Sequence, residues 1–135
     1  MEEKRGHYMS FCTAINCMDG RVQLPVTEYM KRKSGAEYVD MITEPGPNLV
    51  LAERADENLV NSIMARVNIS VNHHGSRMIA VTGHHDCAGN PAEKDDQFAH
   101  TKKAMTVLSE YYPDVELVGL WVDENWSVSE IEREA

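Results

Sequence analysis

The sequence predicts an α/β fold: a three-layer arrangement with a mainly parallel four-stranded sheet, strand order 2-1-3-4, and helices on both faces. Three observations carry that prediction. Short apolar segments alternate with helical ones four times along the chain, the rhythm that builds parallel sheets through right-handed crossovers. The first strand segment, residues 9–17, is apolar enough to be covered on both sides. No repeat, low-complexity tract or linker interrupts the 135 residues, so residues 1–135 are expected to form a single domain.

The elements follow in order. Residues 9–17, "MSFCTAINC", read as the first strand. Pro25 opens a helix with Val26, Tyr29 and Met30 on one face, and Gly35 ends it. "EYVDMI", 37–42, is the second strand, and "TEPGPN", 43–48, is a turn-rich loop ending in Asn48 as N-cap. From Leu49 to His74 the spacing predicts one long helix, since Leu59, Ile63, Val67 and Val71 recur every four residues and Gly75 follows as a stop. "RMIAVT", 77–82, is the third strand. Pro91 then opens a helix carrying Phe98, Thr101, Met105, Leu108 and Tyr112 at alternating spacings of three and four, and Pro113 ends it. "VELVGLWV", 115–122, is the fourth strand, and a Ser127–Glu130 capping box in "SVSEIERE" predicts a short last helix.

Composition narrows the function. A formal net charge of −9 argues against nucleic acid or an anionic membrane as the main partner. No apolar run approaches the roughly 20 residues that span a bilayer, and the N-terminus "MEEKRGHYMS" lacks the apolar core of a secretory signal. Three cysteines, an odd number, speak against a disulfide framework and for a reducing, cytoplasmic setting.

Two turns stand out. "AINCMDGRVQLPV", 14–26, ends an apolar strand with Cys17, Asp19 and Arg21 at every second position, a spacing that turns all three to one side in extended chain. "AVTGHHDCAGN", 80–90, ends another with His84, His85, Asp86 and Cys87 between two glycines. In a 2-1-3-4 sheet these turns follow neighbouring strands whose connections leave to opposite faces, and ligands collect at that switch point. Two thiolates and one imidazole make a zinc set, and three protein ligands leave the fourth position of a catalytic site open. His85 is the rival to His84, less favoured because its one-residue separation from Cys87 makes convergence harder. Cys12 is read as a small core hydrophobe, and His73 and His74 as complements to a helix dipole. For Asp19 and Arg21 the plain alternative is a salt bridge closing the strand end.

Cys-x-Asp-x-Arg after the first strand, with Gly-His-x-x-Cys some 65 residues later after another, resembles the β-class carbonic anhydrases over residues 11 to about 122. The resemblance implies that Cys17, His84 and Cys87 bind zinc and that Asp19 and Arg21 form the catalytic dyad. It implies hydration of carbon dioxide to bicarbonate by a zinc-bound hydroxide that the dyad orients. It also implies a second state in which Asp19 occupies the fourth zinc position and Arg21 loses its partner. Homodimers or larger homo-oligomers come with the family. The chain departs from the family pattern at Gly20, at Ala88 and in the "TEPGPN" loop, and the family's N-terminal helical arm is not expected here.

Three other functions compete. The same site suits hydrolysis of carbonyl sulfide or carbon disulfide, and the altered loop suits a non-catalytic zinc protein of the same fold. A nucleotide binder is disfavoured because no Gly-x-Gly-x-x-Gly or phosphate loop is present, and a thiol redox role because there is no Cys-x-x-Cys. Trp121 is expected in the core, with Trp126 either there or at an interface.

Overall fold

A computed structural model describes residues 10–132. Strand β1 (Phe11–Cys17) runs into a 3-10 turn (Gly20–Val22) and helix α1 (Gln23–Ser34); β2 (Tyr38–Glu44) is followed by α2 (Pro47–Glu53) and α3 (Glu57–Asn68). A π-helical turn (Ile69–His73) closes α3, and β3 (Met78–His84), α4 (Lys94–Tyr111), β4 (Glu116–Val122) and β5 (Val128–Ile131) complete the order.

The sheet has five strands in the order β2-β1-β3-β4-β5. The first four are parallel, with Cys17 opposite Glu44 and His84 opposite Val122. Strand β1 is interior, between β2 and β3, and pairs to β3 over Thr13–Ile79 to Ile15–Val81. Because neighbouring residues of a strand face opposite ways, β1 sends Cys12 and Ala14 against Val26 and Met30 of α1. Ile15 goes to the other face, where Leu51 of α2, Ile63 of α3 and Met105 and Leu108 of α4 pack. Cys12 is fully buried on the α1 side, and burial pushes its thiol up. Helices therefore cover both faces, as the alternation predicts.

The fifth strand corrects the expected last helix. Val128 and Ile131 pair antiparallel with Val122 and Gly119, so the edge of β4 outcompetes a local capping signal. The expected helix from Leu49 to His74 is also divided. Arg54 caps α2 in the left-handed region at φ 54°. Asp56 then accepts the Leu59 N–H at 3.1 Å, starting α3 afresh. The N-cap of α2 is Gly46, not Asn48, which lies buried inside that helix. Helix α4 begins at Lys94, three residues beyond Pro91. His74 pairs with Asp40 at 2.7 Å and stacks on Phe11, holding the start of β1. Trp121 is buried against Phe98, with ring centres 5.4 Å apart. Among the described residues no helix is long and apolar enough to cross a membrane.

Candidate metal centre

The C-terminal ends of β1 and β3 place Cys17, His84 and Cys87 together, each buried, with one donor atom from each lying within 4.8 Å of the others. The two sulfurs are 3.9 Å apart. Tetrahedral zinc with Zn–S bonds of about 2.3 Å would set them about 3.8 Å apart. His84 Nδ1 donates to the carbonyl of His85 at 2.8 Å, which fixes the tautomer and leaves Nε2 as a lone-pair donor. That Nε2 is buried and has no hydrogen-bond partner. Buried polar atoms are paired almost without exception, so an orphan aimed beside two thiols is the signature of a ligand position. The donor set therefore fits a tetrahedral metal ion with one position left over.

One of the two sulfurs is prepared as an anion. The Cys87 hydrogen bond holds the Cys17 thiol below its usual range, while the shared proton and burial push Cys87 up. Without a metal the pair thus keeps one proton. Backbone N–H groups of Gly46 and Asp19 reach Cys17, and that of Asn90 reaches the Cys87 sulfur at 3.3 Å. Burial works most strongly against a charged His84, but the Cys17 thiolate, the His85 carbonyl and Asp19 together outweigh it and raise the ring's proton affinity.

Asp19 and Arg21 stand at the rim. The Asp19 carboxylate caps the 3-10 turn through the Arg21 N–H at 2.9 Å. It takes two further bonds from the guanidinium, from Nε at 3.0 Å and Nη2 at 2.7 Å. This bidentate grip holds the Asp19 carboxyl down to about 2. Asp19 is turned to Arg21 and does not belong to the cluster of donor atoms. His85 is exposed, and its carbonyl, not its ring, serves the site.

Residues that the motif did not single out hold these in place. Asn16 accepts the Cys17 N–H at 2.9 Å and donates to the Val22 carbonyl at 3.2 Å. Gln23 donates to the Cys17 carbonyl at 2.6 Å. Behind His84, the Gln97 amide takes the place of a strand partner. It accepts the His84 N–H at 3.2 Å and donates to the His84 carbonyl at 2.8 Å and the Asn90 carbonyl at 3.0 Å. Asn48 accepts from Asn90 at 3.2 Å and donates to Thr101 at 3.1 Å, extending the network to α2. The two loops meet backbone to backbone: a Cβ on Gly89 would fall 2.4 Å from the Pro45 carbonyl carbon. One on Gly46, at φ 58°, would fall 2.6 Å from that of Gly89. The only sequence signal for this network was its excess of amides and glycines around the turns.

Comparison with known proteins agrees with this geometry. The family model described as "Putative carbonic anhydrase" matches residues 7–132. No curated protein matches the chain. Among solved structures, a carbonic anhydrase from Streptococcus mutans aligns with a TM-score of 0.60 at 17% identity, over 93% of this chain and 84% of that one. β-Carbonic anhydrase isoform I from Trichomonas vaginalis aligns with a TM-score of 0.57 at 17% identity, over 91% and 83%. A structure of tetrameric β-carbonic anhydrases from Sordaria macrospora aligns with a TM-score of 0.57 at 13% identity, over 97% and 85%. With nearly its whole length matched by the family model, the chain belongs to the carbonic anhydrase family, a carbonic-anhydrase-like enzyme whose fold is that of the β-class structures.

Proposed function

We propose that the protein hydrates carbon dioxide to bicarbonate at a zinc ion held by Cys17, His84 and Cys87, with Asp19 and Arg21 as the catalytic dyad. The observation that carries this reading is the orphaned His84 Nε2 set against two sulfurs 3.9 Å apart. Zinc held there supplies the Lewis acidity that makes water a nucleophile near neutral pH.

The chain's own residues do the rest. The N–H groups directed at Cys17 and Cys87 draw charge from the thiolates, so that two sulfurs quench less of the metal's acidity. Asp19, kept ionised by Arg21, accepts the hydrogen bond of the attacking water and aims its lone pair at the substrate carbon. Arg21 holds that carboxylate in a single orientation through two parallel bonds. Buried donors below an open rim suit a small, linear, uncharged substrate. We also propose that the chain works as a homo-oligomer in the cytoplasm; the tetrameric relatives support the assembly.

Metal analysis of the purified protein beside a Cys17→Ser variant, followed by stopped-flow proton release on mixing with carbon dioxide, tests the reading. One zinc per chain is expected, lost in the variant, with turnover that falls at least a hundredfold in Asp19→Ala. Zinc-loaded protein that releases no more protons than Asp19→Ala overturns it.

A further inference from the structure

Arg21 is held by more than its neighbour in the dyad. Its Nη1 donates to the Asp86 carboxylate at 3.2 Å and its Nη2 to the Asp86 carbonyl at 3.1 Å. The guanidinium carbon also lies 4.5 Å from the centre of the Trp126 ring, a stacking and cation–π contact. Each of these is a modest interaction at an exposed site.

What sets them apart is the backbone that delivers them. Three described residues other than glycine have positive φ: Arg54, Asp86 at 60° and Trp126 at 63°. Two of the three are the extra partners of Arg21. The left-handed region is tolerable for aspartate but a genuine outlier for a bulky ring, and such conformations persist only where the surroundings over-determine them. Around Trp126 they do. Asp123 accepts from the Trp126 N–H through its carbonyl at 2.9 Å, and through its carboxylate from Asn125 at 2.9 Å and Ser127 at 3.0 Å. Two strained turns, one after β3 and one after β4, thus converge on one guanidinium.

We infer that Asp86 and Trp126 are positioning residues that brace Arg21 independently of Asp19, so that the guanidinium keeps its place when the Asp19 carboxylate turns away. The resemblance to the family implied the opposite, an arginine left without a partner. The brace makes return of Asp19 to Arg21 a closure onto a fixed donor pair, which keeps the dyad ready between turnovers. The geometry of the brace stands by itself; its catalytic consequence rests on the proposed function.

The test reads Arg21 directly. In the full chain as purified, the Arg21 Nε–H order parameter is measured by nitrogen-15 NMR relaxation in Asp19→Ala, alone and combined with Asp86→Gly or Trp126→Asn. Glycine and asparagine accept the left-handed backbone, so both variants keep the turns. Trp126→Phe keeps the ring and serves as the rescue. Arg21 is expected to stay ordered in Asp19→Ala and in its combination with Trp126→Phe, and to become disordered when Asp86→Gly or Trp126→Asn is added. Disorder in Asp19→Ala alone, or order that survives both additions, overturns the brace. With zinc bound, Asp86→Gly is expected to lower kcat about two- to fivefold with KM unchanged, the scale of an exposed ion pair; a KM effect alone also overturns it. Failure of zinc binding or turnover in the unmodified chain would count against the proposed function and leave the NMR result to stand on its own.

Discussion

Replacing Gln97 with leucine keeps the volume of a buried side chain and strips three backbone groups, the N–H and carbonyl of His84 and the carbonyl of Asn90, of their partner. Each buried group left unpaired costs about 1–3 kcal/mol. Gln97→Leu is therefore expected to lower the urea midpoint and to weaken zinc binding about 10–100-fold, the scale on which outer partners act, as read by competition with a chelator of known affinity. Two glycines make a matched pair. Alanine at Gly89 drives a methyl into the Pro45 and Gly46 backbone, 2.4 and 2.7 Å away, and neither can yield cheaply. A loss of about 1–3 kcal/mol is expected in denaturant melts. Alanine at Gly20 meets nothing within 4 Å, and restricting the unfolded chain is expected to leave stability unchanged or raised by up to about 1 kcal/mol. The glycine that departs from the family motif is thus the harmless one; of the two that hold the loops together, Gly46 lies in the "TEPGPN" loop and Gly89 in the turn after β3.

Strand β5 is strapped to α1 by side chains. Tyr29 donates to the Glu130 carboxylate, and Lys33 pairs with it at 2.9 Å. The Tyr29 hydroxyl and then Lys33 hold Glu130 below its usual 4.5, so this contribution is complete above that pH and fades as pH falls through the lowered value. Burial, and after it Glu130, raises Tyr29 from 10.0 to about 12. The folded state thus keeps a proton that the unfolded chain releases, and stability is lost as pH climbs from 10 towards 12. In thermal melts the gap between the native chain and Tyr29→Phe is expected to be widest on the plateau between those windows and to narrow on either side. The same element shows where local reading fails. Ser127 and Glu130 make a sound capping pair, but the Ser127 N–H goes to Asp123 instead and Glu130 goes to the strap. The open edge of β4 supplies hydrogen bonds that an isolated turn of helix cannot match. The divided helix is a different case, because the Asp56 cap was written in the chain and the four-residue periodicity ran straight across it. The π turn puts Ser70 within 2.6 Å of Thr13 on β1, a contact between residues far apart in sequence that no local pattern reports.

At the scale of the whole molecule, topology brought the site within reach of sequence reading. Strands β1 and β3 had to be neighbours for Cys17 to meet His84 and Cys87, and the alternation of elements implied that order. The amide network behind His84 was invisible for the complementary reason: Asn48, Asn90 and Gln97 come from three separate stretches and acquire meaning only when packed. Saturating the site with zinc at about a hundredfold above its dissociation constant is expected to stabilise the fold by about 2.7 kcal/mol, read as a concentration-dependent rise in melting temperature that a chelator reverses.

The sulfurs at the ends of β1 and β3 are 70 positions apart in the chain. A metal seated between them is a clasp across the innermost seam of the sheet, closing a long loop of chain whose freedom is otherwise recovered on opening. Amide protons of Ala14, Ile15 and Val81 are then expected to exchange with solvent far more slowly in the loaded protein, while those of the outlying β2 and β5 change little. In that protein unfolding has to start from the margins, and loss of the ion would let it begin at the middle.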